Sequence, residues 1–179
     1  MITINNLKDW FVKTEINVLP YKKIIDNITK QMTSNKEGVS TQGKDSKQFY
    51  IENSQELNPI VQDIKKVINT SLKDFDLKLL SAWTVYGEKY GFHKIHRHNH
   101  ENNNHLATVL FLDVPKIVEP DLCGNLFFIT RDKYNNLEYK EFSPKIGDFF
   151  IFPIHVLHGT YPQSEGIRQT LNLDFEVLC

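Results

Sequence analysis

The chain has 179 residues, 40% of them hydrophobic and 12% aromatic, with 21 Lys and Arg against 22 Asp and Glu for a formal net charge of −1. That length suits a single domain spanning 1–179, and the balanced charge leaves no global basic field to recruit nucleic acid. The two cysteines, Cys123 and Cys179, stand far apart with no C-x-x-C, which argues against a disulfide scaffold or a cysteine zinc site and makes a reducing cytoplasm the expected compartment.

The opening segment, MITINNLKDWFVKTEINVLP, carries charges early and has no continuous apolar block, so it does not read as a signal peptide. No apolar run approaches the roughly 20 residues of a membrane span. YKKIIDNITKQM (21–32) puts Ile24, Ile25, Ile28 and Met32 at helical spacing. The polar, glycine-containing stretch TSNKEGVSTQGKDSKQ (33–48) reads as a loop, either a cover over a cavity or a plain surface loop. NPIVQDIKKVINTSL (58–72) predicts a second helix, with Asn58 as candidate N-cap, Pro59 in the first turn and a broad apolar stripe from Ile60 to Leu72.

From Leu77 the period shortens. In LKLLSAWTVYGE, Leu79, Ser81, Trp83 and Val85 alternate with Leu80, Ala82, Thr84 and Tyr86. Further strands are expected over 106–114, 124–130, 137–143, 147–153 and 168–177, separated by turn signals such as RDKYNN and PQSEG. The expected fold is mainly β: a helical N-terminal part (1–76) buttressing a double-stranded β-helix core (77–179), a cupin-like jelly roll. A simple sandwich would give the same string of elements.

Five of the seven histidines fall within GFHKIHRHNHENNNH (91–105). In an extended strand, residues i and i+2 share a face, so His96 and His98 can aim at one point, and so can His98 and His100. Neutral imidazole is a common metal ligand. His93 has the opposite parity and would face away from a continuous strand. His100 and His105, in an Asn-rich context, fit a solvated run. A third ligand must come from elsewhere: His158, after the aromatic strand GDFFIFP, is the best candidate, with His155 as substitute.

Farther on, Arg168, Thr170, Asn172 and Asp174 share one parity and Leu171, Leu173 and Phe175 the other. The polar face either meets solvent or lines a wet cavity. In a cavity, the guanidinium fork of Arg168 and the hydroxyl of Thr170 suit a carboxylate. Asp174 could reach the metal region or pair with a cation. Asp148 reads as a structural turn acid.

His96-x-His98, a distal His158 and Arg168-x-Thr170 about ten residues on resemble the iron(II)- and 2-oxoglutarate-dependent oxygenases. Together with Gly91, LATVLFL and PKIGDFFIFP, they are most similar to the bacterial and phage branch, which reads H-x-H…H…R-x-S. The resemblance runs from about Trp83 to Phe175. It implies a jelly roll with Fe(II) held by His96, His98 and His158, with His100 an alternative ligand. It further implies 2-oxoglutarate held at its far carboxylate by Arg168 and Thr170, with Tyr86 a further contact. Oxygen would be the second co-substrate, and an unidentified substrate would be oxidised, usually by hydroxylation, as 2-oxoglutarate is decarboxylated. Trp83 and Asn125 are the candidate substrate contacts. Trp83, Phe127, Phe150 and Phe152 are expected as dry walls.

The broader superfamily places a carboxylate where this chain has His98. Two other readings therefore stand beside the oxygenase: a cupin-type three-histidine metalloprotein that uses no 2-oxoglutarate, and a non-enzymatic module that kept the fold. Zinc or nickel are alternative metals.

Overall fold

The computed structural model describes residues 9–34, 41–42, 46–98, 104–116 and 119–178. Helices form where the sequence carries its apolar stripes. α1, Leu19–Lys30, buries Tyr21 and Ile25, and α2, Asn58–Ser71, buries Ile60, Val61, Ile64 and Ile68. Asn58 does not cap α2. A 3-10 turn, Gln55–Leu57, runs straight into the helix, so Asn58 is already helical and no side chain caps that end. Pro59 sits in the first turn, where a missing N–H breaks no helical bond.

The strands in chain order are β1 (Val12–Glu15), β2 (Thr41–Gln42), β3 (Lys47–Tyr50), β4 (Asp76–Gly87), β5 (Phe92–His93) and β6 (His105–Asp113). There follow β7 (Leu126–Arg131), β8 (Leu137–Phe142), β9 (Asp148–Pro153), β10 (Leu157–Thr160) and β11 (Arg168–Leu178). The main sheet has the order β1-β9-β6-β11-β4-β3, a second sheet the order β10-β7-β8, and β2 pairs with β5. All these pairings are antiparallel. A bridge between His96 and His158 extends the second sheet from β10 toward β5.

The main sheet is covered on both faces. On one side Leu106, Leu110, Phe149, Ile151, Leu171, Leu173 and Phe175 pack with Ile25, Ile60, Ile64 and Ile68 of the helices. On the other, Ala107, Val109, Phe111, Phe150 and Phe152 meet Leu126 and Phe128 of the second sheet. Burial on both faces is why LATVLFL and DFFIFP are continuous apolar runs. The result is a mainly β jelly roll with the two helices as an outer buttress.

Three differences from the sequence reading have local causes. The N-terminal part is not only helical: β1 pairs with β9 and β3 with β4, closing the two edges of the main sheet. The stretch 33–48 is not all loop, since β2 and the start of β3 lie in it, while 35–40 and 43–45 fall outside the described residues. Within β4 the register against β11 slips between Ser81, opposite Asp174, and Leu79, opposite Phe175. This one-residue bulge at Leu80 switches parity. Leu77 and Leu79 therefore pack on the helix side together with Ala82 and Tyr86, and Leu79 does not share a face with Trp83. Among the described residues no helix is long and apolar enough to cross a membrane.

Candidate metal centre

Backbone pairing builds the histidine cluster. His96 N–H donates to the His158 carbonyl at 3.0 Å, His158 N–H donates to the His96 carbonyl at 3.0 Å, and His98 N–H donates to the Ile154 carbonyl at 3.0 Å. Directly opposed residues of an antiparallel pair project to the same side, and His98 follows at i+2. The ring centroids lie 4.3 Å apart for His96 and His158, 5.1 Å for His98 and His158, and 5.5 Å for His96 and His98. One potential ligand atom from each of the three lies within 4.8 Å of the others, near the spread that a single ion with bonds of about 2 Å can span.

Each ring is held from behind. His96 Nδ1 is 2.8 Å from the Lys94 carbonyl and His158 Nδ1 is 3.0 Å from the Val156 carbonyl. His98 Nδ1 is 2.8 and 3.0 Å from the two carboxylate oxygens of Asp174. A carbonyl or carboxylate accepts only, so these contacts assign the proton to Nδ1 and leave the Nε2 lone pair for a metal. Burial lowers the pKa of His158 well below the usual histidine value. It lowers that of His96 too, against the opposing pull of the Lys94 carbonyl. The neutral, metal-binding form is therefore favoured at neutral pH. The donor set fits a resident divalent metal.

Arg168 lines the same cavity as the three histidines. Its guanidinium is buried and donates to the Gly124 carbonyl at 3.2 Å and the Thr160 hydroxyl at 3.0 Å. Both partners are neutral, and among the described residues no carboxylate pairs with it. Burial pushes its pKa down to about 10, which leaves it charged at pH 7. A buried cation facing a cavity without an anion is a site for one. Thr170 lines the cavity beside it, its hydroxyl oxygen 3.1 Å from the Asn172 amide. The cavity volume is about 30 Å³, measured as the space open to the centre of a water molecule.

The other expected site residues divide. Trp83 lines the cavity, its ring 5.3 Å from that of His98. Tyr86 does not reach it: lying on the helix face of β4, its hydroxyl donates to Asp26 at 2.8 Å, is 3.1 Å from the Thr29 hydroxyl and accepts from Gln169 at 2.8 Å. Asn125 is directed away, its amide donating to Glu141 at 2.6 Å. Phe127 packs outward against Tyr139 and Tyr161, because its β7 neighbours Leu126 and Phe128 take the inward positions. Phe150 and Phe152 belong to the core beneath the site, with the Phe152 ring 4.6 Å from that of His158. Besides Trp83, the apolar lining is Val109, Phe111 and Leu126.

Among the remaining histidines, His155 turns out to Asp9 at 3.3 Å, and His100 lies outside the described residues. His105 is not solvated; it opens β6 and is buried. His93 was expected to face away, yet it lines the cavity. The strand is not continuous: β5 ends at His93, the chain bends at Ile95, and extended pairing resumes at His96. Burial holds the His93 pKa well below the usual value, helped by the nearby Arg168 charge. Asp148 is a turn acid, accepting from the Lys145 N–H at 2.9 Å and paired with Lys13.

No protein-family model matches the sequence, and no curated protein matches it. Solved structures do resemble it in three dimensions. A Pseudomonas putida prolyl-4-hydroxylase superposes with a TM-score of 0.67 at 15% identity, over 98% of this chain and 97% of that one. The viral collagen prolyl hydroxylase of Paramecium bursaria Chlorella virus-1, solved as a 2-oxoglutarate complex, gives 0.66 at 12% identity, over 94% and 97%. HygX from Streptomyces hygroscopicus, with nickel and 2-oxoglutarate bound, gives 0.69 at 10% identity, over 95% and 84%. At these identities the likeness establishes a shared fold.

Proposed function

We propose that the chain is an Fe(II)- and 2-oxoglutarate-dependent oxygenase, most simply a hydroxylase. The observation that carries this reading is one cavity holding both three inward imidazoles and a buried guanidinium that pairs with no carboxylate among the described residues. His96, His98 and His158 hold the metal through Nε2. Arg168 and Thr170 would hold the far carboxylate of 2-oxoglutarate. When bound, the metal and 2-oxoglutarate supply the oxidising chemistry: one oxygen atom goes to the substrate, the other to succinate, and carbon dioxide leaves. The chain orients these groups, and Trp83, Val109, Phe111 and Leu126 keep bulk water from them. HygX holds nickel and 2-oxoglutarate on the same fold, which supports the reading.

Anaerobic addition of Fe(II) and 2-oxoglutarate should give a visible charge-transfer band that needs both. Arg168→Ala should weaken 2-oxoglutarate binding by about 10-fold or more, the scale of a lost buried charge-assisted bond, with metal binding nearly intact. Unchanged 2-oxoglutarate affinity in that variant would remove the assignment of Arg168. The all-imidazole donor set favours one second reading, a cupin-type metalloprotein. That protein would bind the metal and give no band on adding 2-oxoglutarate.

A further inference from the structure

We infer that Asp174 is the positioning carboxylate of this metal centre, supplying from behind His98 the negative charge that a carboxylate ligand would otherwise bring. The inference rests on the metal-binding half of the proposed function and is independent of 2-oxoglutarate. Two observations carry it. Asp174 is buried, and both of its oxygens lie within 3.0 Å of His98 Nδ1. Among the three imidazoles, only His98 is backed by a carboxylate; His96 and His158 have backbone carbonyls. The Ser81 hydroxyl also reaches Asp174, at a long 3.4 Å.

A two-histidine, one-carboxylate site puts one negative charge on a divalent ion. Three neutral imidazoles put none, and a buried carboxylate one imidazole away restores the total. Through the shared proton Asp174 also fixes the ring orientation and raises the basicity of the coordinating nitrogen. The fold sets this up. Asp174 and Ser81 are opposed where β11 and β4 are still in regular register, one step before the bulge at Leu80, so Asp174 stays on the cavity side with Arg168 and Thr170.

The test uses the full-length chain and Co(II) alone, by calorimetric titration. Asp174→Asn should weaken Co(II) binding about 10- to 100-fold, the usual effect of losing such a partner. Ser81→Ala should stay within about twofold of wild type on the same reasoning. Asp174→Glu, which keeps the charge, should recover part of the loss, a rescue that a purely packing role would not show. Co(II) affinity in Asp174→Asn equal to wild type overturns the inference and leaves the metal site standing. A wild type that takes up no Co(II) overturns the functional reading as well. If Asp174→Asn does not fold, the wild type decides. In the Zn(II)-loaded, nitrogen-15 histidine-labelled protein, His98 should bind through Nε2 with a strongly downfield Nδ1 proton; ligation through Nδ1 overturns the inference.

Discussion

Gln169 lies between the cavity residues Arg168 and Thr170 on β11, and Tyr86 lies three residues from Trp83 on β4; an odd offset puts both on the opposite face of the sheet. There they tie α1 to the sheet. Asp26 accepts from Tyr86 at 2.8 Å, from Gln169 at 2.9 Å and from Lys22 at 3.1 Å. Burial works to raise the Asp26 pKa, but these donors outweigh it and hold it below the ordinary 3.8. A carboxyl with a depressed folded pKa stabilises the fold above its unfolded value, and that contribution is lost as pH falls through the folded value. Tyr86→Phe should therefore cost about 1.5–3 kcal/mol at pH 7, the worth of a hydrogen bond to a charged group, read by urea denaturation. The gap from wild type should narrow below pH 3.8, and 2-oxoglutarate binding should not change. A variant that lost 2-oxoglutarate instead would restore Tyr86 to the cavity. At this scale the sequence carried the i, i+2 histidines and the polar parity of β11 openly. The place of His93 was hidden, because the bend at Ile95 has no glycine or proline to announce it.

Whole elements were legible in proportion to their burial. β6, β9 and β11 bury almost every residue, and their apolar content marks them in any window. β1 and β3 are four residues each at the sheet edges, β1 with no buried residue and β3 with only its two central ones buried, and β2 and β5 are two residues each. Such segments owe their conformation to a partner strand, so local sequence says little about them. The bulge in β4 is equally silent, since Leu80 is apolar whichever way it points. β10 is short too, yet the site depends on its close approach to the chain after β5. Gly159 permits that approach: a Cβ there would meet Phe127 Cζ at 2.7 Å, the His93 carbonyl oxygen at 2.9 Å and the Lys94 carbonyl oxygen at 3.2 Å. Two of these neighbours are backbone and cannot turn aside. Gly159→Ala should thus push β10 off the His93–His96 segment, at a cost of about 1–3 kcal/mol for overpacking. Metal affinity should fall with stability, because the same displacement separates His158 from His96. Normal Co(II) affinity in a destabilised Gly159→Ala protein would show that the histidines do not depend on this strand contact.

At the scale of the molecule, the site sits where the two sheets and the chain between β5 and β6 meet. His96 and His98 come from that chain, His158 from the second sheet, and Arg168 and Asp174 from the main sheet. A metal bound there would clasp both sheets at once, and on the proposed function 2-oxoglutarate would add a link from the metal to β11. Neither assembly exists in the unfolded chain, so both ligands should stabilise the fold by mass action. A metal at 100 times its dissociation constant is worth about 2.7 kcal/mol. For a chain of this size that is a rise of roughly 5–10 °C in Tm. 2-Oxoglutarate should raise Tm further only when metal is present, since its keto acid end needs the ion. His158→Ala removes the sole ligand from the second sheet and should abolish both increments. If 2-oxoglutarate raised Tm equally without metal, Arg168 would be gripping it alone, and the cavity would be a carboxylate site rather than a joint metal and keto acid site.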